Sequence, residues 1–89
     1  MQEYKLDIEL RQVGKYDNND YRLFVNDELM LERPWNLPDG YEYQVVYLTC
    51  KLAKGGNSIN LQNIHGNLVL GKITIDNKEI QHTNGYFEL

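Results

Sequence analysis

Alanine is almost missing from this chain: Ala53 stands alone among 89 residues. Alanine is the best helix former, so a sequence that avoids it offers little to a helical fold. Cysteine is as scarce. The single thiol, Cys50, can close no internal disulfide and excludes a cysteine-based zinc site. Serine also occurs once, at Ser58, and its surroundings Gly55-Gly56-Asn57-Ser58-Ile59-Asn60 are not the Gly-x-Ser-x-Gly elbow of a nucleophile. Positive charge is in deficit. Nine basic residues against thirteen acidic give a net charge of −4, which argues against sequence-independent nucleic-acid binding, because phosphates need a basic face. No apolar run approaches the ~20 residues of a membrane helix. The opening residues 1–10 alternate charge with hydrophobe, so no signal peptide is expected and the location, by default, is cytoplasmic. At this length one domain, 1–89, is expected, hiding only a little over ~60% of the surface its unfolded chain exposes.

What is present favours strands. Val and Ile together number eleven, with seven Tyr and ten Asn. β-branched and aromatic side chains suit a pleated, half-buried surface, and asparagine suits turns because it tolerates positive φ. Tyr4, Leu6, Ile8 and Leu10 alternate with Lys5, Asp7, Glu9 and Arg11, a two-residue period with one apolar and one charged face. Gly14 ends that strand, and a polar loop runs through Asp17, Asn18, Asn19 and Asp20. Residues 21–33 form a hairpin about Asn26-Asp27. Pro34 and Pro38 bracket a loop carrying Trp35, and Asp39-Gly40 is a turn signal.

The longest strand candidate spans Tyr41 to Leu52. Val46, Leu48, Cys50 and Leu52 share one face; Tyr41, Tyr43, Val45 and Tyr47 share the other. With two apolar faces it is expected to lie centrally, covered on both sides. Lys54-Gly55-Gly56-Asn57 turns the chain into Ser58–Ile64, and His65-Gly66-Asn67 turns it again into a strand from Leu68 to Asp76. Gly71 is expected to mark a bulge. Asn77-Lys78 is the next hairpin turn, and Tyr86–Leu89 closes the chain. Seven or eight short strands with turn signals between them predict an all-β, single-domain antiparallel sandwich, jelly-roll-like. The core is expected from Leu6, Ile8, Leu10, Leu23, Val46, Leu48, Cys50, Ile59, Leu61, Ile73 and Ile75.

Catalytic chemistry finds little support. Cys50 falls on the inward phase, where a small buried hydrophobe is the plainer reading than a thiolate, which needs exposure and a positive neighbour. His65 and His82 share no ligand spacing. Thirteen acids will always offer carboxylate pairs, so pairing alone carries no assignment to glycoside hydrolysis. The Gly55-Gly56 segment lacks the helix that a phosphate loop requires. The expectation is a protein without enzymatic activity and without a cofactor. Calcium is the one metal considered: Asp17, Asn19 and Asp20, with Asn18 between them, crowd oxygens into one loop, but without the spaced acids of a calcium loop, and Asp39 or Glu42 would have to help. A solvated turn is the simpler reading.

The aromatic residues are more informative. Trp35 with Tyr41, Tyr43 and Tyr47 forms a candidate binding surface. Flat rings beside Asn, Asp and Gln suit a sugar's C–H face, and Trp and Tyr equally dominate protein interfaces. The alternative is packing beneath a neighbouring element with the hydroxyls at the rim.

The run Asp20-Tyr21-Arg22-Leu23-Phe24-Val25-Asn26-Asp27-Glu28-Leu29-Met30-Leu31-Glu32-Arg33 resembles a hairpin of small jelly-roll proteins from tailed bacteriophages, particularly those of marine cyanobacteria. An aromatic loop follows it, then a long strand, then the hairpin Ile73-Thr74-Ile75-Asp76-Asn77-Lys78-Glu79-Ile80 and a short closing strand. The resemblance covers about two-thirds of the chain in order and spacing. It implies a virion-associated protein, a capsid decoration or tail component, whose partners are phage structural proteins or further copies of itself in a homo-oligomer. The same order also resembles β-sandwich carbohydrate-binding modules, which implies a glycan partner. A third alternative is a phage-encoded inhibitor of a host protein, although −4 spread over mixed-sign strands is too diffuse to imitate nucleic acid well.

Overall fold

The computed structural model describes residues 2–13, 20–35, 43–63 and 68–89. These hold eight strands and no helix: β1 (Gln2–Gln12), β2 (Asp20–Val25), β3 (Glu28–Pro34), β4 (Tyr43–Leu52), β5 (Gly56–Asn63), β6 (Leu68–Ile75), β7 (Lys78–Ile80) and β8 (Tyr86–Glu88). They form two antiparallel four-stranded sheets packed face to face, in the orders β4-β1-β6-β7 and β3-β2-β5-β8. The fold is the expected β-sandwich. Only the β2–β3 and β6–β7 connections stay within a sheet; the others cross between sheets, so the core is closed by strands distant in sequence.

Turn chemistry explains the hairpins. Asn26 (φ 49°) and Asp27 (φ 67°) are both left-handed, as are Asp76 (φ 47°) and Asn77 (φ 68°), the signature of two-residue turns whose twist matches that of the strands. The second turn therefore falls at Asp76-Asn77, one residue before the expected Asn77-Lys78, and Lys78 already begins β7. Asn and Asp bear positive φ at lower cost than Lys does. A third such turn, Asn84-Gly85, lies between Thr83 and Tyr86, which bridge each other. Gly85 is required there: its φ is 90°, and a Cβ would run into the Ile59 carbonyl, while its own carbonyl accepts from Ile59 N–H at 2.8 Å. The bulge expected at Gly71 is present, since the β1–β6 register slips between Ile8↔Ile73 and Leu10↔Leu70.

The core follows the two-residue period of each inner face. Leu6, Ile8, Leu10, Leu23, Val46, Cys50, Ile59, Ile73 and Ile75 are buried as expected, joined by Tyr21, Val25, Trp35, Leu52, Leu68 and Phe87. Leu48 and Leu61 are only half-buried against this cluster, a correction to their expected place in the core. The placing of the strands also needs correction. The long apolar strand, β4, is an edge strand, and the charge-faced β1 lies inside its sheet between β4 and β6. In a sandwich only one face of each sheet is covered, so apolar residues on both faces do not make a strand central.

Candidate functional site

Alternation along β4 sends Val46, Cys50 and Leu52 inward and leaves Tyr43 and Tyr47 on the outer face, 52% and 74% exposed. Val45, half-buried, lies between them in the same row. The outward residues thus make an apolar stripe along one rim of the β4-β1-β6-β7 sheet. Beside it, β1 contributes Arg11 opposite Tyr43, Glu9 opposite Val45, Asp7 opposite Tyr47, Lys5 opposite Thr49 and Glu3 opposite Lys51. The next strand adds Val69, 42% exposed, across Arg11 from Tyr43, and Thr74 across Asp7 from Tyr47.

The charges on this face are partly spent within it. Arg11 Nε pairs with Glu9 Oε1, two residues away on the same side of β1, and the Glu9 side chain is 12% exposed. The room for that carboxylate comes from the bulge, where a Cβ on Gly71 would collide with it. The surface therefore presents phenol rings next to a held ion pair, with Asp7 and Lys5 as further polar groups. Such an arrangement suits contact with a polar, flat partner.

Trp35 does not belong to this face. It is 8% exposed, its indole Nε1 donates to Gln12 Oε1 at 2.8 Å, and its ring meets Tyr21 edge-on at 6.1 Å between centroids. The indole is large enough to plug the core where β3 ends, and its one polar atom has a partner, so burial wins over display. Its expected place beside the tyrosines is corrected accordingly. Tyr41 lies outside the described residues, as do Asp17, Asn18, Asn19, Asp39, Glu42 and His65. Of the calcium candidates only Asp20 is described, exposed at the start of β2, and no group of three potential metal-ligating side chains occurs among the described residues.

Among the described residues, Cys50, His82 and Asn57 hold the fold. Cys50 is buried, and its thiol is pushed up by burial first, then by the charges of Glu28 and Glu3, which disfavours the reactive thiolate. His82 accepts from Gly85 N–H at Nδ1 (3.0 Å), which places the proton on Nε2, directed at the Gly71 carbonyl 2.7 Å away. It ties the bulge to the last turn. Asn57, buried, uses its whole amide: Oδ1 accepts from Ala53 N–H and Asn26 Nδ2, while Nδ2 donates to the Ala53 and Gly55 carbonyls.

A second aromatic surface escaped the reading of the sequence. On the outer face of β3-β2-β5-β8, Tyr86 is 51% exposed and lies over Gly56, and Leu29, 48% exposed, is opposite half-buried Phe24. The alternation Tyr86-Phe87-Glu88 carried this signal, but three residues are a short run on which to fix a phase. No family model matches the chain, and neither a curated protein nor a solved structure matches it.

Proposed function

We propose that the protein works by adhesion, without chemistry of its own, as a structural component of a tailed-phage virion that attaches to a capsid or tail lattice. The observation that carries this reading is the row on the outer face of β4 in which exposed Tyr43 and Tyr47 flank half-buried Val45. Two tyrosines and a valine in one row supply rigid apolar area at low entropic cost, and Tyr is enriched where interfaces concentrate their energy. The hairpin resemblance supports the phage setting, and a stable sandwich needs nothing further to serve as a decoration.

The test is co-sedimentation of the purified protein with tailed-phage capsids and, separately, tails. Binding to one of them is expected, weakened by more than about 1 kcal/mol by Tyr43→Ala and by Tyr47→Ala. Tyr86→Ala, on the opposite sheet and as exposed as Tyr43, should leave binding unchanged. Equal losses for Tyr86→Ala and Tyr47→Ala would remove the assignment to this face. A glycan is the second reading, favoured by one feature: each exposed tyrosine of β4 has a charged residue, Asp7 or Arg11, directly across from it. Binding on a glycan array that is lost in Tyr47→Ala, without particle binding, would decide for the sugar.

A further inference from the structure

Among the described residues four strands lie at sheet edges: β4, β7, β3 and β8. An exposed edge is a template for another strand unless something blunts it. β7 and β8 have three residues each. β3 carries Glu28, Glu32, Arg33 and Pro34, and its register slips at Met30. β4 has none of these defences. Its ten residues include no proline, its pairing with β1 runs unbroken from Leu52 to Tyr43, and its single charge, Lys51, lies near one end. Leu48, inward-facing between buried Val46 and Cys50, is left half-covered.

We propose that β4 pairs edge to edge, antiparallel, with β4 of a second copy of this chain, about a two-fold axis at Tyr47, making one continuous eight-stranded sheet. This deepens the adhesion reading and rests on the same strand. In an antiparallel pair, opposed side chains point to the same face, so a symmetric pairing must be centred on a residue. Centred on Tyr47, nine residues of each copy pair. Tyr47 meets Tyr47, Val45 meets Thr49, Val46 meets Leu48, and Tyr43 lies against Lys51, an aromatic ring beside a cation. The half-covered Leu48 gains a neighbour, and no two like charges of β4 are opposed.

The flanking strand is compatible with the same centre. Asp7 is the β1 partner of Tyr47, so the axis also relates the two β1 strands about Asp7. The outward charges of β1 then face each other as Glu3 to Arg11, Lys5 to Glu9, Asp7 to Asp7, Glu9 to Lys5 and Arg11 to Glu3. Four of these five rows oppose unlike signs. Centring on Leu48 or on Val45 instead sets Glu9 in a row with an acid, Glu3 or Glu9. The β1 strands would be three strand spacings apart, about 14 Å, beyond the Debye length of ~8 Å at physiological salt. At that separation the charges are largely screened, so they agree with this centre without fixing it, and the direct β4 contacts carry the pairing.

The experiment uses two variants, Tyr47→Glu and Tyr47→Lys, chosen because only a residue on the axis meets itself. Sedimentation of the wild type should show a dimer. Each variant alone sets like charges against each other and should weaken self-association by at least about tenfold. Mixed in equal amounts they should restore a dimer that native mass spectrometry resolves as the heterodimer, which also shows that both variants are folded. A wild type that stays monomeric, or a mixture that associates no better than its components, overturns the pairing. If that happens while Tyr43→Ala still weakens particle binding, adhesion stands and only the edge pairing fails. If the mixed dimer forms but no particle is bound, the pairing stands and the virion reading falls.

Discussion

The side chains of Asn26 and Asn57 meet amide to amide, Nδ2 to Oδ1 at 2.9 Å, and join the β2–β3 turn to the turn that opens β5. Asn26 Oδ1 also accepts from Ser58 N–H at 2.8 Å, so two short turns from different parts of the chain are locked as one unit. The Asn26 N–H also donates to the Ser58 carbonyl at 2.8 Å, so backbone and side chains together hold the two turns. Asn57→Ala would strand the half-buried N–H and carbonyl of Ala53, each costing about 1–3 kcal/mol when unsatisfied, while the Gly55 carbonyl keeps its bond from Leu89 N–H. A loss of about 2–4 kcal/mol is expected from urea unfolding. A loss under ~0.5 kcal/mol, the level of a surface change, would mean that water replaces the amide freely.

Depth of burial separates two aliphatic residues that look alike in the sequence. Ile8 is fully buried on β1, while Leu48 on the edge strand β4 is half-buried. Ile8→Ala should cost about 2–5 kcal/mol, and Leu48→Ala about 1–2 kcal/mol in the monomer, because an edge position can relax and already sees water. Chemical denaturation of both variants checks the order. Equal losses would place β4 deeper than an edge.

How far the sequence announces this arrangement depends on the kind of signal. Period-two alternation in residues 4–11 names β1 and its inner face correctly, because that rule is local. Asn26-Asp27 announces its hairpin for the same reason. Strand order is not local. Which of β1 and β4 lies inside the sheet depends on pairings between residues as far apart as Gln2 and Leu52, and no side-chain pattern encodes it. The tyrosines of β4 were legible as one row, and Tyr43 and Tyr47 are exposed together. Trp35 was misread because a proline-flanked loop suggests display, whereas its indole turns inward to Gln12 and Tyr21.

Trp35 should accordingly report on folding rather than on binding. Its emission is expected to be blue-shifted in the native protein and to shift red on unfolding, as a ring 8% exposed requires. Trp35→Ala removes the ring, its contact with Tyr21 and the Gln12 hydrogen bond, and should cost about 3–5 kcal/mol. Trp35→Phe should recover part of that loss. A native emission maximum matching that of the unfolded chain would contradict the burial.

Alkaline pH should weaken the fold in two stages, and the residues responsible are separable. The Tyr21 phenol is buried with no hydrogen-bond partner among the described residues, and burial raises its pKa, against a smaller opposing effect of Arg33. The Cys50 thiol is raised too, by burial and then by Glu28 and Glu3. Both groups are neutral when protonated, so the folded state holds its protons more tightly than the unfolded chain does. Stability is therefore complete below the unfolded pKa values and is lost as pH rises through them towards the folded ones. Thiols ordinarily titrate near ~8.5 and phenols near ~10, so the thiol sets the first decline and the phenol the second. Cys50→Ser should flatten the first stage and Tyr21→Phe the second. Tyr86, raised by its hydrogen bond to Glu88, is exposed at the surface, where solvent screens the effect, and Tyr86→Phe should change the profile little. Urea midpoints measured from pH 7 to pH 11 give the profile. An unchanged upper stage in Tyr21→Phe would show that its phenol ionises as readily folded as unfolded.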